Sequence, residues 1–174
     1  MNNNKTDYFF FWGGVFSQWY KSNFTLEGIT FNTAEQYMMY KKALLFEDIE
    51  IANQILKCND PKKQKELGRK VKNFNMAMWN EHCLQYVFRG NHAKFDQNKR
   101  LYDMLMNTTP ALLVEASAFD KIWGIGLDEK TASKTPESEW PGTNWLGKTL
   151  TNVRDHFLNE EEIEEYYREY EKTK

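Results

Sequence analysis

Glu35 and Lys42 are the first pair in this chain whose type and spacing could do chemistry. They stand in Thr33-Ala34-Glu35-Gln36-Tyr37-Met38-Met39-Tyr40-Lys41-Lys42. On a helix, Glu35, Met38/Met39 and Lys42 share one face, because side chains three, four and seven residues apart align. At 1.5 Å per residue the two charges are separated by roughly 10 Å along the axis. That is too far for a surface ion pair. A carboxylate and an amine with large apolar groups between them suit the two ends of a small-molecule cleft. The alternative is the solvated edge of an amphipathic helix, which periodicity alone favours.

A second candidate is Asp120-Lys121-Ile122-Trp123-Gly124-Ile125-Gly126. Gly124 and Gly126 flank an apolar residue where backbone can approach a ligand closely, with Asp120 at the mouth of the turn. A bare Gly-x-Gly lacks the third glycine and the strand–helix context of a dinucleotide fingerprint, so an ordinary turn is the competing reading. In Gly142-Thr143-Asn144-Trp145-Leu146-Gly147, Thr143 or Asn144 either caps a last helix or helps offer backbone N–H groups to an anion. Arg69 after Gly68, and Lys94 after Gly90-Asn91, are cations beside helix breaks and suit phosphate. His82, His92 and His156 have no metal-type spacing, so no metal is expected. No nucleophile elbow or Walker-type phosphate loop occurs. Cys83 falls on an apolar stripe and reads as core.

These groups need elements to hold them. Tyr8 to Val15 and Thr25 to Phe31 suggest a short hairpin or a pair of small strands. Thr33 caps a helix reaching about Phe46; Asp48 caps the next; Asp60-Pro61 opens a third. A longer helix from about Asn75 carries Met76, Trp79, Cys83 and Val87 and should stop near Gly90-Asn91. A short helix covers roughly Lys99 to Met106. Leu112 to Ala116 reads as a strand, and Trp145 to Phe157 as a final packed helix. The expectation is a mainly α single-domain helical bundle with a small β element. It spans 8–157, after a flexible segment at 1–7 and before an acidic, helical extension at 158–174.

Composition narrows the class. The 174 residues include twelve Phe, six Trp and nine Tyr, 16% of the chain, yet mean hydropathy is −0.76. So many aromatics exclude a disordered chain. A net charge of −2 argues against gripping long nucleic acid through charge. Two cysteines without metal-type spacing imply free thiols in a reducing compartment, and no apolar run is long enough to span a membrane. The expected location is cytoplasmic.

In this order, the pieces resemble the NADAR family, the YbiA-like proteins named for links to NAD and ADP-ribose. The matching stretches are Phe10-Phe11-Trp12-Gly13-Gly14 with Ser17-Gln18-Trp19, Thr33 to Met39 with Lys42-Ala43, Leu67-Gly68-Arg69, and Phe74 to Trp79. They continue with Gly90 to Phe95, Leu113 to Ser117, Asp120 with Trp123 to Leu127, and Asn144 to Gly147 up to Arg154. The chain departs from the pattern at Trp145, where Leu is common, and at Thr151, where Met is usual.

The resemblance implies a mostly helical domain with N-glycosidase activity and no cofactor or metal. Two substrate kinds come with it: a phosphoribosylamino-pyrimidine of riboflavin synthesis, and ADP-ribose attached to guanine in nucleosides or DNA. Family site residues map onto Glu35, Trp79, Asp120 and Trp123, and Lys42, Lys94, Glu115 and Asn144 also match family positions. Both substrates join ribose C1 to an exocyclic amine. Cleavage can proceed through an oxocarbenium-like state at C1, or through ring opening and transimination onto a neutral lysine. Glu35 would handle protons, Lys42 act as nucleophile or phosphate contact, and Asp120 orient ribose hydroxyls or act as base. Trp79 and Trp123 would stack on the base, Arg69 and Lys94 take phosphate, and Ser17, Gly124, Gly126, Glu115 and Asn144 complete the binding set. The competing class is a non-catalytic module that binds ADP-ribose or a similar nucleotide. Such a module could dispense with Glu35, Lys42 and Asp120, all of which are present.

Overall fold

The computed structural model describes residues 7–172. The flexible segment expected at 1–7 therefore lies outside the described residues except for Asp7.

The helices begin where side chains satisfy their first free N–H groups. Thr33, in extended backbone, accepts from Gln36 N and opens α1 (Ala34–Leu45). Asp48 accepts from Ile51 N before α2 (Ile49–Leu56), and Asp60 from Lys62 N before α3 (Pro61–Arg69). Asn75 accepts from Met78 N before α4 (Met76–Asp96). Each cap stabilises its helix by ~1 kcal/mol. α5 spans Lys99–Met106, α6 is the short Glu129–Ala132, and α7 runs Trp145–Lys172.

The strands make two separate small sheets rather than one hairpin. β1 (Tyr8–Phe11) pairs in parallel with a distant strand, Leu112–Glu115, with Phe11 opposite Glu115. β2 (Phe24–Leu26) and β3 (Ile29–Phe31) form the antiparallel hairpin, so the distant strand is β4 in chain order. The hairpin turn has positive φ at both Glu27 and Gly28, the twist a two-residue loop needs.

α4 is the central element, packed against α1 on one side and α7 on another. The main core joins Ile55, Cys83, Val87, Phe95, Leu113 and Leu150, each 1% exposed or less. A smaller cluster of Phe24, Phe31, Tyr37 and Ala93 seats the hairpin.

Three expectations are corrected. α4 does not stop at Gly90-Asn91 but continues to Asp96. Gly90 is there for tertiary contact: a Cβ on it would lie 2.6 Å from the Tyr37 ring, so the glycine lets α1 and α4 meet. Asn91 stays helical while its Nδ2 donates to Gln18 Oε1 and Val87 O. The last helix passes Phe157 without a break. Finally, α4 and α7 bring His92 and His156 together, with ring centroids 5.3 Å apart, a proximity invisible in local spacing. Among the described residues, no helix is long and apolar enough to cross a membrane.

Candidate active site

A cleft of about 940 Å³ opens between α1, α3, the start of α4 and the loops after β1 and β4. α1 supplies Glu35 and Lys42 from one face, with Met38 and Met39 between them. α3 supplies Lys65 and Arg69, α4 supplies Trp79, and the end of β4 supplies Glu115. Asp120 and Trp123 come from the following loop, Ser17 from the loop after β1.

Glu35 is only 5% exposed. Burial raises its pKa to about 7, against the pull of Lys65, a Trp19 hydrogen bond and Arg69, with Asp120 raising it further. Glu115 is also raised to about 7, by burial first and then by Asp120 and Glu35, with Lys65 opposing. Its Oε2 is buried and has no hydrogen-bond partner among the described residues. Lys42 is lowered from the ordinary lysine range, first by burial and then by Arg69, although Glu35 opposes the shift. Its Nζ sits 4.3 Å from the centre of the Phe74 ring and 5.6 Å from that of Trp79. The cleft thus holds two carboxyl groups that exchange protons near neutrality, and an amine drawn toward its neutral form.

The loop geometry is tightly specified. Asp120 Oδ1 accepts from Ile122 N at 2.9 Å and Trp123 N at 2.8 Å, which fixes the carboxylate at the head of the turn. Trp123 meets Trp145 edge to face at 5.7 Å. Gly124 lies against β4, where a Cβ would come 2.9 Å from Glu115 O and 3.0 Å from Asp120 O. Gly126 closes the turn by donating its N–H to Asp120 O.

Eight of the expected site residues line the cleft: Ser17, Glu35, Lys42, Arg69, Trp79, Glu115, Asp120 and Trp123. Four stand behind its wall. Gly124 and Gly126 shape the turn just described. Asn144 is 2% exposed, and its side chain accepts from Glu115 N and donates to Leu113 O. It clamps the start of α7 to β4. The start of α7 is not an anion site, since the Trp145 and Leu146 N–H groups donate to Ile122 O and Trp123 O. Lys94 is not a cation beside a break but a fully buried residue of α4. Its Nζ donates to Ser17 O at 3.0 Å, so it braces the loop that carries Ser17. Burial lowers its pKa to about 7.

Several lining residues carry no strong local signal. Lys65 lies one helical turn before Arg69, and that spacing on α3 is the feature that marks it. Trp12 and Phe119, 74% and 93% exposed, stand among the lining residues with bare aromatic faces. Nothing in the periodicity of their segments distinguishes them.

A family model described as the NADAR domain matches residues 9–158. The chain belongs to the NADAR domain family. It is 47% identical over 146 residues to "N-glycosidase R617" of Acanthamoeba polyphaga mimivirus, covering 81% of this chain and 86% of that protein. It is 38% identical over 165 residues to "Protein irg-1" of Caenorhabditis elegans, covering 86% and 78% of the two chains. Its fold is similar to the NMR structure of the Escherichia coli protein YbiA, with a TM-score of 0.74, 25% identity, and coverage of 90% and 88%. Every cleft residue named above falls within the NADAR match, whereas the last turns of α7 fall beyond it.

Proposed function

We propose that the cleft hydrolyses the bond between ribose C1 and an exocyclic amine, removing ADP-ribose from guanine. That the chain is a hydrolase of N-glycosyl bonds follows from its family and from relatives that bear that name. The observation that carries the reading is the pairing of buried Glu35 with a desolvated Lys42 along one wall of the cleft.

This pairing supports the lysine route. A carboxylic acid protonates the ring oxygen of the substrate, the furanose opens, and C1 becomes a protonated imine to the base. Neutral Lys42 adds to C1. The exocyclic amine takes a proton from a carboxyl group and leaves, so C1 is now an imine to Lys42. Water adds there, Lys42 departs, and the sugar closes again with a hydroxyl at C1. One water is consumed in all. Glu35 and Glu115, each with a pKa of about 7, supply and recover these protons. Asp120, pinned by two backbone N–H groups, holds ribose hydroxyls.

The substrate class rests on size and lining. At about 940 Å³ the cleft is at the upper end of the ~300–1,000 Å³ common for ligand sites. Trp12, Trp79, Phe119 and Trp123 offer faces for more than one base. Lys65 and Arg69 match a diphosphate. A phosphoribosylamino-pyrimidine contains the same bond but fewer groups to fill this space.

The test is product analysis by mass spectrometry. ADP-ribosylated guanosine, the same modification in an oligonucleotide, and the phosphoribosylamino-pyrimidine are compared side by side. The expected result is free ADP-ribose together with unmodified guanosine or oligonucleotide, lost in Glu35→Gln. Faster cleavage of the pyrimidine riboside would move the assignment to that substrate. Tight binding with no product from any of them would leave a nucleotide-binding module.

A further inference from the structure

We propose that His92 of α4 with His156 and Glu160 of α7 forms a binding site for one divalent transition-metal ion, with Zn²⁺ the best chemical match. The site is separate from the cleft, and none of its residues lines the cleft.

One ligand atom from each of the three residues lies within 4.8 Å of the other two. His156 and Glu160 are one helical turn apart, with Nε2 and Oε1 separated by 3.4 Å. His92 approaches from the neighbouring helix. Its Nε2 is buried and has no hydrogen-bond partner among the described residues, an unused lone pair or proton in the packed layer between two helices. The rings are held in place by aromatic neighbours. His92 packs 4.5 Å from Phe157, and Phe88 lies about equally far from both imidazoles, at 6.0 and 5.8 Å.

Two imidazoles and a carboxylate select for a borderline ion rather than Mg²⁺ or Ca²⁺, which prefer all-oxygen shells. Tetrahedral coordination at ~2.0–2.2 Å requires ligand atoms roughly 3.4 Å from one another. Side-chain rotation of His156 and Glu160 can supply that contraction, because both are about half exposed. The same exposure leaves the fourth position to water. The ion would cross-link α7 to α4 just beyond the core residue Phe157, stapling the acidic end of α7 to the domain.

Titration calorimetry of the full chain, freed of metal with a chelator, tests this with Zn²⁺. Substitution of Co²⁺ reads the coordination geometry through its visible bands. The expected result is one ion per chain with micromolar or tighter affinity. His156→Ala and Glu160→Gln, both at exposed positions, should each weaken binding at least tenfold while leaving the circular dichroism unchanged. Cys58→Ser should bind as the unaltered chain does. No saturable binding up to millimolar Zn²⁺ would overturn the proposal. So would equal affinity in the two α7 variants, or loss of binding in Cys58→Ser, which would assign the ion to the half-buried thiol.

Discussion

Glu35→Gln should inactivate the protein and stabilise it. A carboxyl whose pKa is higher in the folded than in the unfolded state removes stability as the pH rises through that interval. For Glu35 the interval runs from 4.5 to about 7. Linkage over that range gives a penalty of about 1 kcal/mol at pH 5 and about 3 kcal/mol at pH 8. The side chain is 5% exposed, so solvent screening does little to reduce it. Glutamine keeps the shape and an acceptor for Trp19 but cannot ionise. The variant should therefore gain little at pH 5 and about 3 kcal/mol at pH 8, a rise of roughly 6–12 °C in Tm for a domain of this size. Urea unfolding of both proteins at the two pH values measures the difference. Turnover should fall by ~10²–10⁴, the usual contribution of a positioned proton donor. A variant no more stable at pH 8 than at pH 5, relative to the unaltered chain, would refute the idea that Glu35 is held protonated by burial.

Lys94 titrates with the opposite sign. Its folded pKa of about 7 lies below the ordinary 10.5, so its burial costs most while it is protonated in the unfolded chain. Between pH 7 and pH 10 it should add about 3 kcal/mol of stability as that cost fades. Lys94→Met should flatten that rise, as read by urea unfolding across the range. Asn144→Ala removes the partners of Leu113 O and Glu115 N. It also places alanine at φ 55°. The expected loss is about 3 kcal/mol in urea unfolding, together with reduced turnover because Glu115 is no longer held. Gly124→Ala forces a methyl against two carbonyl oxygens and should cost about 1–3 kcal/mol. It should also raise KM, since the turn carrying Asp120 and Trp123 must shift.

The parts of this site that rest on local patterns were legible before the fold. Thr33 followed by an apolar-interleaved Glu35 and Lys42 is a helix start and a single face, and both charges line the cleft. The cap at Asp48 and the helix starts at Asp60 and about Asn75 follow from the same short-range chemistry. What was illegible depends on contacts across the chain. Gly90 resembles a helix stop, but the Tyr37 ring occupies the space a side chain would need, and α4 continues. Lys94 consequently turns inward instead of meeting phosphate. Asn144 resembles a cap, yet its side chain serves β4 because Leu113 O and Glu115 N face it. The pairing of β1 with β4 joins Tyr8–Phe11 to Leu112–Glu115, segments far apart in the chain, and no local alternation encodes it. The depressed Lys42 and raised Glu115 arise from burial, which appears only once α1, α3 and β4 enclose the cleft.

The most direct test of the central claim is reductive trapping during turnover. Borohydride added to the protein with ADP-ribosylated guanosine should reduce the imine and leave the ribosyl group bonded to a single amine. Intact-mass and peptide analysis should place that adduct on Lys42, and Lys42→Met should neither form it nor turn over. Unmodified protein after active turnover in borohydride, with Lys42→Met still cleaving the substrate, would contradict the account.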